Sequence, residues 1–150
     1  MKKFRFALDT VLSYKQQIQE ARQTEHAEIL AQVRRQEEWL AQLREEYRTY
    51  GDDYARRCAQ GLAQTEAMIG QSTLRAMERQ IEQEEQTLQR LRNQEEACRQ
   101  QVVEAKRETA TIEKLREKRK TEYQKAADKA QELFVEEFVT VGRLRSSAAR

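Results

Sequence analysis

Apolar and aromatic residues recur every three or four positions between Ile29 and Tyr54. The stops of this pattern are Ile29, Val33, Gln36, Leu40, Leu43, Tyr47, Tyr50 and Tyr54, and only Gln36 among them is polar. The residues between the stops are mostly Glu, Arg and Gln. A mean repeat of about 3.5 residues is typical of a helix that keeps one narrow stripe against a partner helix. Because such a stripe is not stable alone in water, the pattern predicts a second helix that covers it.

The second half of the chain carries the same spacing from Leu74 to Ile112. If the chain reverses near residues 55–76, the two stripes can be matched in one antiparallel register. That register pairs Tyr54 with Met77, Tyr50 with Ile81, Leu43 with Leu88, Leu40 with Leu91, Val33 with Cys98, Ile29 with Val102, and polar Gln36 with polar Glu95. Because a single register satisfies nearly every layer, we predict an all-α fold, a long two-helix antiparallel coiled-coil hairpin.

The expected organisation is a single unit over residues 1–150. Its parts are a first helix over about 5–57, a fold-back over 58–71, a second helix over about 72–141 and a frayed tail over 142–150. Gly61 and Gly70 mark the fold-back, and Ser72 and Thr73 are candidate N-caps for the second helix.

The second helix is predicted to extend past the first and to form a C-terminal overhang after about Asp128. The apolar residues of this overhang have nothing in the chain to cover them: Leu133, Phe134, Phe138 and Val141. Uncovered large apolar side chains usually mark an interface. The basic stretch 114–129 and the pair Phe4 and Phe6 are expected to gather at the same end.

Composition supports long helices and narrows the range of possible functions. The chain has no proline and 36% charged residues, which is typical of a coiled coil. A net charge of +2 with mixed signs predicts a solvated surface, not a nucleic-acid-binding face. No apolar run approaches the ~20 residues of a membrane span, and the first residues lack the apolar core of a signal peptide. We therefore expect a cytoplasmic protein without a transmembrane segment.

The candidate chemistry is sparse. The predicted register places Cys58 and Cys98 too far apart for a disulfide, so both are expected to be free thiols. A single histidine, His26, cannot complete a metal site of the usual kinds. No phosphate-binding loop or nucleophile–base set is present, and paired helices offer no enclosed cleft. We predict neither catalysis nor a cofactor.

Three tyrosines of the first stripe, Tyr47, Tyr50 and Tyr54, allow two interpretations. They can pack in the seam between the helices, or they can form a partner-binding face near the fold-back. Two helices cannot fully enclose tyrosine rings, and half-exposed tyrosines are common interface anchors, so both interpretations can hold together.

Two stretches resemble a known family. The start Phe4-Arg5-Phe6-Ala7-Leu8-Asp9-Thr10-Val11-Leu12-Ser13-Tyr14-Lys15 and the step Glu113-Lys114-Leu115, with Arg119 and Tyr123 downstream, resemble the FliJ family of flagellar type III export proteins. The resemblance implies an antiparallel coiled coil similar to the central stalk helices of rotary ATP synthases. It implies a terminal end held in the hexameric export ATPase (FliI-like) and a fold-back region bound to the cytoplasmic domain of the export gate (FlhA-like).

The resemblance further implies that the chain couples ATP hydrolysis to proton-driven export, handles export chaperones, and lies peripherally at the inner face of the cell membrane. It would thus serve flagellum biogenesis, motility and chemotaxis. The implied ATPase-binding residues are Phe4, Phe6, Leu8, Arg119, Tyr123, Leu133, Phe134 and Phe138. The implied gate-binding residues are Leu40, Leu43, Tyr47, Tyr50, Tyr54, Leu74, Met77 and Ile81.

Three alternatives remain open from the sequence. One is the equivalent stalk protein of a virulence type III secretion ATPase. Another is a homodimeric structural coiled coil, whose mass in dilute solution would be twice that of a hairpin. The third is a nucleic-acid-binding helical protein, whose affinity would depend strongly on salt.

Overall fold

The computed structural model describes residues 3–148, which form two long helices packed against each other. Helix α1 covers Asp9–Gln60 and helix α2 covers Gln64–Ala148, with 52 and 85 residues respectively. No strand is present among the described residues. The predicted all-α antiparallel hairpin is confirmed.

Helix α1 begins at Asp9, later than the expected start near residue 5. The carbonyl of Leu8 accepts the first helical bond, from the amide of Leu12 at 2.8 Å, and the amide of Asp9 donates to the Phe6 carbonyl at 3.2 Å. The carboxylate of Asp9 suits the positive end of the helix dipole. Residues 3–8 therefore run ahead of the helix as a non-helical N-terminal segment.

The link between the helices is residues 61–63, much shorter than the expected fold-back over 58–71. Gly61 has a φ of 96°, and its amide donates to the Cys58 carbonyl at 3.2 Å. Glycine adopts this left-handed conformation at little cost, and it ends α1 as a C-terminal cap.

Gly70, expected in the fold-back, and Ser72 and Thr73, expected as N-caps of the second helix, all lie inside α2. The Thr73 hydroxyl donates to the Ile69 carbonyl of its own helix at 2.9 Å, so it does not cap the helix. Gly70 is buried, and a Cβ atom placed on it would overlap the ring of Tyr54. This glycine serves a close helix–helix approach and not a turn.

The pairing of the helices differs from the predicted register by about one heptad. The Gln36 amide donates to the Glu84 side chain at 2.5 Å, whereas the prediction placed Gln36 opposite Glu95. Glu95 instead lies 2.7 Å from the ring of His26. The predicted pairing of Val33 with Cys98 is therefore wrong. A coiled-coil pattern repeats every seven residues, so a reversal centred near residue 62 matches the stripes as well as one centred near 65.

The helices form two compact units by their internal contacts. One unit is Glu20–Glu104. Its buried cluster contains Val33, Leu40 and Leu88, with Ile81 and Leu91 packed against it. These are stripe residues of both halves, so the periodic positions form the core as predicted.

The other unit combines Met1–Gln19 with Ala105–Arg150. Its buried residues are Phe6, Leu12, Ala105 and Thr109. Lys15 occupies a stripe position but donates to Glu108 at 2.6 Å, and this bond raises the pKa of Lys15 because it favours the charged ammonium. Polar stripe residues are thus accommodated here by pairing across the helices.

The C-terminal part of α2 continues to Ala148, beyond the expected end at 141. Most of the predicted frayed tail is helical, and positions 149 and 150 lie outside the described residues. Every residue from Asp128 to Ala148 is exposed. We call residues 128–148 the overhang. Within the described chain, neither helix has a stretch both long and apolar enough to cross a membrane.

Candidate partner-binding surfaces

The N-terminal segment packs on α2 and forms a groove with it. The rings of Phe4 and Tyr123 have centroids 5.6 Å apart at 50°, and Phe6 is buried. The groove has a volume of about 1120 Å³ and is lined by Lys3, Phe4, Arg5, Phe6, Ala7, Leu8, Leu115, Arg119, Glu122 and Tyr123. Two aromatic side chains therefore anchor the non-helical N-terminal segment.

The groove has an apolar base and charged edges. Leu8 and Leu115 expose part of their side chains, 38% and 37% respectively. Arg119 stands at the edge and lies 3.5 Å from Glu122 on the same helix. Since both of these charges are exposed, their pairing contributes little to stability and leaves them available to a partner.

The overhang presents apolar side chains over most of its circumference. Phe134 and Phe138 expose 69% and 74% of their surface. At about 100° per residue, Val141 lies beside them, while Leu133 and Leu144 fall on one side and Val135 and Val139 on the other. Glu132, Glu136 and Arg143 occupy the remaining arc, while Glu137 and Arg145 fall among the apolar side chains. A flat partner could cover only part of this surface, whereas an enclosing partner could cover all of it.

Both parts of the implied ATPase-binding set lie in the same compact unit. The structure brings Phe4, Phe6, Leu8, Arg119 and Tyr123 together in the groove. It places Leu133, Phe134 and Phe138 further along α2, in the overhang. We call the groove and the overhang together the terminal surface. Sequence reasoning missed Leu115, Val135, Val139 and Leu144, although the helical spacing could have indicated the last three.

The implied gate-binding residues divide into buried and half-exposed groups. Leu40 and Leu43 are core residues, exposed by 2% and 5%. A partner cannot reach them while the helices are paired. The other six are half-buried and define what we call the fold-back surface: Tyr47, Tyr50, Tyr54, Leu74, Met77 and Ile81.

Two tyrosine hydroxyls of the fold-back surface are held by hydrogen bonds. Tyr47 donates to Glu78 at 2.5 Å, and this bond raises the pKa of Tyr47 because a phenolate could not donate to the carboxylate. Tyr54 donates to the Ala67 carbonyl at 2.9 Å. The neighbouring Cys58 thiol raises the pKa of Tyr54, with a further contribution from desolvation. The rings therefore pack at the seam in fixed positions and keep part of their surface exposed.

A shallow groove lies beside the fold-back surface. It has a volume of about 470 Å³ and is lined by Glu45, Glu46, Thr49, Tyr50, Asp53 and Met77. Trp39, which sequence reasoning did not single out, is 41% exposed. It lies one heptad before Glu46. Its position as an aromatic residue beside the stripe could have indicated from the sequence that it belongs to this surface.

The side-chain chemistry of both surfaces suits binding. Among residues 3–148, no group of three or more His, Cys, Asp or Glu side chains could hold a metal ion. Cys58 and Cys98 are free thiols. What the two surfaces offer is exposed aromatic and aliphatic area with charged borders, the usual composition of a protein–protein interface.

Comparison with known proteins identifies a family. The family described as Flagellar FliJ protein matches residues 4–146 of the 150-residue chain. No curated protein matches the chain, and no solved structure does. The matched range covers nearly all of the N-terminal segment, the whole of α1 and α2 as far as residue 146, and the chain belongs to the flagellar FliJ family.

Proposed function

We propose that this chain couples an ATPase to the export gate in the flagellar type III export apparatus. Membership of the FliJ family makes it a component of that apparatus. In this proposal the terminal surface binds and stimulates the hexameric export ATPase, and the fold-back surface binds the cytoplasmic domain of the gate protein. The chain itself then needs no catalytic residue and would work at the inner face of the cell membrane, where export chaperones also act.

The overhang carries the ATPase part of the proposal. Its residues are exposed from Asp128 to Ala148, and Phe134 and Phe138 are its most exposed large hydrophobic residues. Apolar area that faces most directions around a single helix is best buried inside a hole. A hexameric ring provides such a hole, because its subunits surround the central axis.

The half-exposed tyrosines support the gate part. Tyr47 and Tyr54 have their hydroxyl groups fixed by hydrogen bonds, so their rings are already ordered before a partner arrives. A rigid aromatic side chain loses little conformational freedom on binding and commonly acts as an anchor. Tyr50 and Met77 extend this surface along the neighbouring groove.

The ATPase part is tested by the double variant Phe134→Ala with Phe138→Ala. The purified chain is added to the export ATPase of the same bacterium, and co-purification and the rate of ATP hydrolysis are measured. Loss of two exposed aromatic anchors should lower the stimulation by about tenfold or more. Circular dichroism should show unchanged helicity, because neither side chain packs inside the chain.

A matched control comes from the same turns of the overhang. Glu132→Ala with Glu136→Ala changes two exposed residues on the polar arc and should retain most of the stimulation. If the phenylalanine variant activates the ATPase as well as the unaltered chain does, the overhang is not the binding element.

A further inference from the structure

Two polar contacts interrupt the apolar seam of the unit Glu20–Glu104. The Gln36 amide donates to the Glu84 carboxylate at 2.5 Å and to the Glu84 carbonyl at 3.3 Å. Nε2 of His26 lies 2.7 Å from Oε1 of Glu95. All four side chains are half-buried, at positions where the stripe otherwise carries mostly apolar residues. We call these two contacts the polar pairs.

The polar pairs depend more on the alignment of the helices than the ion pairs of the flank do. A polar side chain in the seam of a coiled coil lowers stability but specifies the alignment, because it needs its partner at one place. The side chains of Arg44 and Glu85 on the flank are 57% and 46% exposed, against 23% and 22% for His26 and Glu95. Water therefore replaces a lost partner more readily on the flank.

The spacing of the polar pairs distinguishes alignments that are one heptad apart. The pairs are ten residues apart on α1 and eleven residues apart on α2, and both form together in the observed register. In the register predicted from the sequence, Gln36 would lie opposite Glu95 and keep one polar contact. His26 would then lie opposite Ala105, and Glu84 would lose its partner. A shift by one heptad in the other direction would keep neither pair.

We propose that the polar pairs form a two-point lock, which holds the hairpin in one register at a cost in stability. The heptad pattern alone does not select a register, because each shift by seven residues again places stripe against stripe. The positive φ of Gly61 sets the reversal at one end of the hairpin. The polar pairs act along the arms, where they oppose a slip of α2 against α1 by about 10.5 Å.

The lock also determines which residues meet near the link. In the observed register the ring of Tyr54 lies against Gly70. One heptad away, Tyr54 would face Met77, and the fold-back surface would be built from different neighbours. A single register therefore gives the chain a single fold-back surface. This inference goes beyond the proposed function and does not depend on which partners the chain binds.

The test replaces the polar pairs by leucine. Gln36→Leu with Glu84→Leu removes one pair, His26→Leu with Glu95→Leu removes the other, and a four-leucine variant removes both. The midpoint of urea unfolding should rise in the four-leucine variant, because more apolar surface is buried. Its population of the alternative register should rise by about tenfold or more, since hydrogen bonds to charged groups no longer favour the observed one. Each two-leucine variant retains one pair and should keep the observed register.

Double electron–electron resonance spectroscopy measures the register in these variants. Labels at residues 37 and 92 should be close in the observed register, because Glu37 and Arg92 form an ion pair at 2.8 Å. Labels at residues 37 and 99 would be close in the alternative register. Cys58 and Cys98 are replaced by serine throughout, and labelled chains are diluted with unlabelled chains. Each label pair should give one distance with the unaltered seam and two distances in the four-leucine variant.

The matched control changes the same four positions but keeps them polar. Gln36→Glu with Glu84→Gln exchanges the donor and the acceptor of one pair, and His26→Glu with Glu95→His exchanges the members of the other. This variant should show a single register, because both pairs remain complementary in the observed alignment. Circular dichroism establishes that all variants are helical.

Three results would overturn the lock. A single register in the four-leucine variant would mean that other contacts are sufficient to hold the alignment. A second distance of equal weight in the exchanged-pair control would mean that loss of the polar pairs is not the cause. A second distance that disappears on dilution would come from pairing between chains and not from a slip within one hairpin. Two distances that persist on dilution, in the four-leucine variant alone, would support the lock.

Discussion

At the scale of single residues, the contact between Gly70 and Tyr54 explains a glycine inside a helix. Glycine in a helix interior costs about 1 kcal/mol relative to alanine, so its presence needs a reason. The Tyr54 ring occupies the space where a Cβ atom of residue 70 would lie, and the Tyr54 hydroxyl donates to Ala67 one turn away. The glycine thus leaves room for the ring against α2.

Gly70→Ala should therefore destabilise the chain although alanine is the better helix former. We expect a net loss of about 1–2 kcal/mol, because overlap with a packed ring costs more than the helix propensity contributes. The measurement is the free energy of unfolding from urea titrations followed by circular dichroism. Gly142→Ala is the control and should cost nothing, since no atom lies within 4 Å of a Cβ at that site.

A double-mutant cycle isolates the contact. In a Tyr54→Leu background the same Gly70→Ala change should be markedly less costly, because the ring is gone. An equal cost in both backgrounds would contradict the overlap as the cause.

At the scale of the helices, the sequence could predict which faces meet but not which turns. The stripe positions Val33, Leu40 and Leu88 do form the core. Their pairing could not be chosen, because shifting one helix by a heptad again places stripe against stripe. The deciding residue is Gly61, whose positive φ sets the reversal, and two other glycines in the region offered the same signal.

The observed register is tested with spin labels at exposed flank positions. Labels at residues 44 and 85 should be close, since Arg44 and Glu85 form an ion pair at 2.6 Å. Labels at residues 44 and 92, which would face each other in the alternative register, should be farther apart by about 10 Å. Double electron–electron resonance spectroscopy measures both distances after Cys58 and Cys98 are replaced by serine.

Mixing labelled with unlabelled chains provides the control for this measurement. Dilution should leave both distances unchanged, because the pairing is within one chain. If the 44–92 distance were shorter than the 44–85 distance, the alternative register would be the correct one. Loss of the distance signal on dilution would indicate pairing between chains.

At the scale of the whole molecule, the two proposed surfaces differ in how well the sequence predicted them. The overhang could be predicted because a long second helix leaves Phe134 and Phe138 without a partner in any plausible register. The fold-back surface was less predictable. Leu40 and Leu43 belong to the same stripe as Tyr50, and only packing separates the buried pair from the half-exposed tyrosine.

The aromatic groove depended on local structure that periodicity cannot reveal. Residues 3–8 are not helical, so their contacts do not follow the helical repeat. Phe4 therefore packs against Tyr123 with its ring tilted by 50°, one helical turn before Ala127, where extension of the predicted register would have placed it. These six residues carry no helical repeat, so their contacts could not be predicted from the sequence.

Removal of residues 129–150 should separate stability from ATPase binding. The described part of this segment is exposed throughout, so the thermal midpoint of unfolding should change by less than about 2 °C. Stimulation of the export ATPase should be lost, while binding of the gate domain should be retained. A large drop in the midpoint would show that the overhang contributes to folding.

The short link at residues 61–63 is all that separates a hairpin from one continuous helix. Gly61 is the only position between residues 3 and 148 with a positive φ. If all three link residues became helical, α1 and α2 would join into one helix whose apolar stripe could be covered only by a second copy. The same heptads would then support a domain-swapped dimer, and the left-handed conformation of Gly61 disfavours that exchange of arms between neighbours.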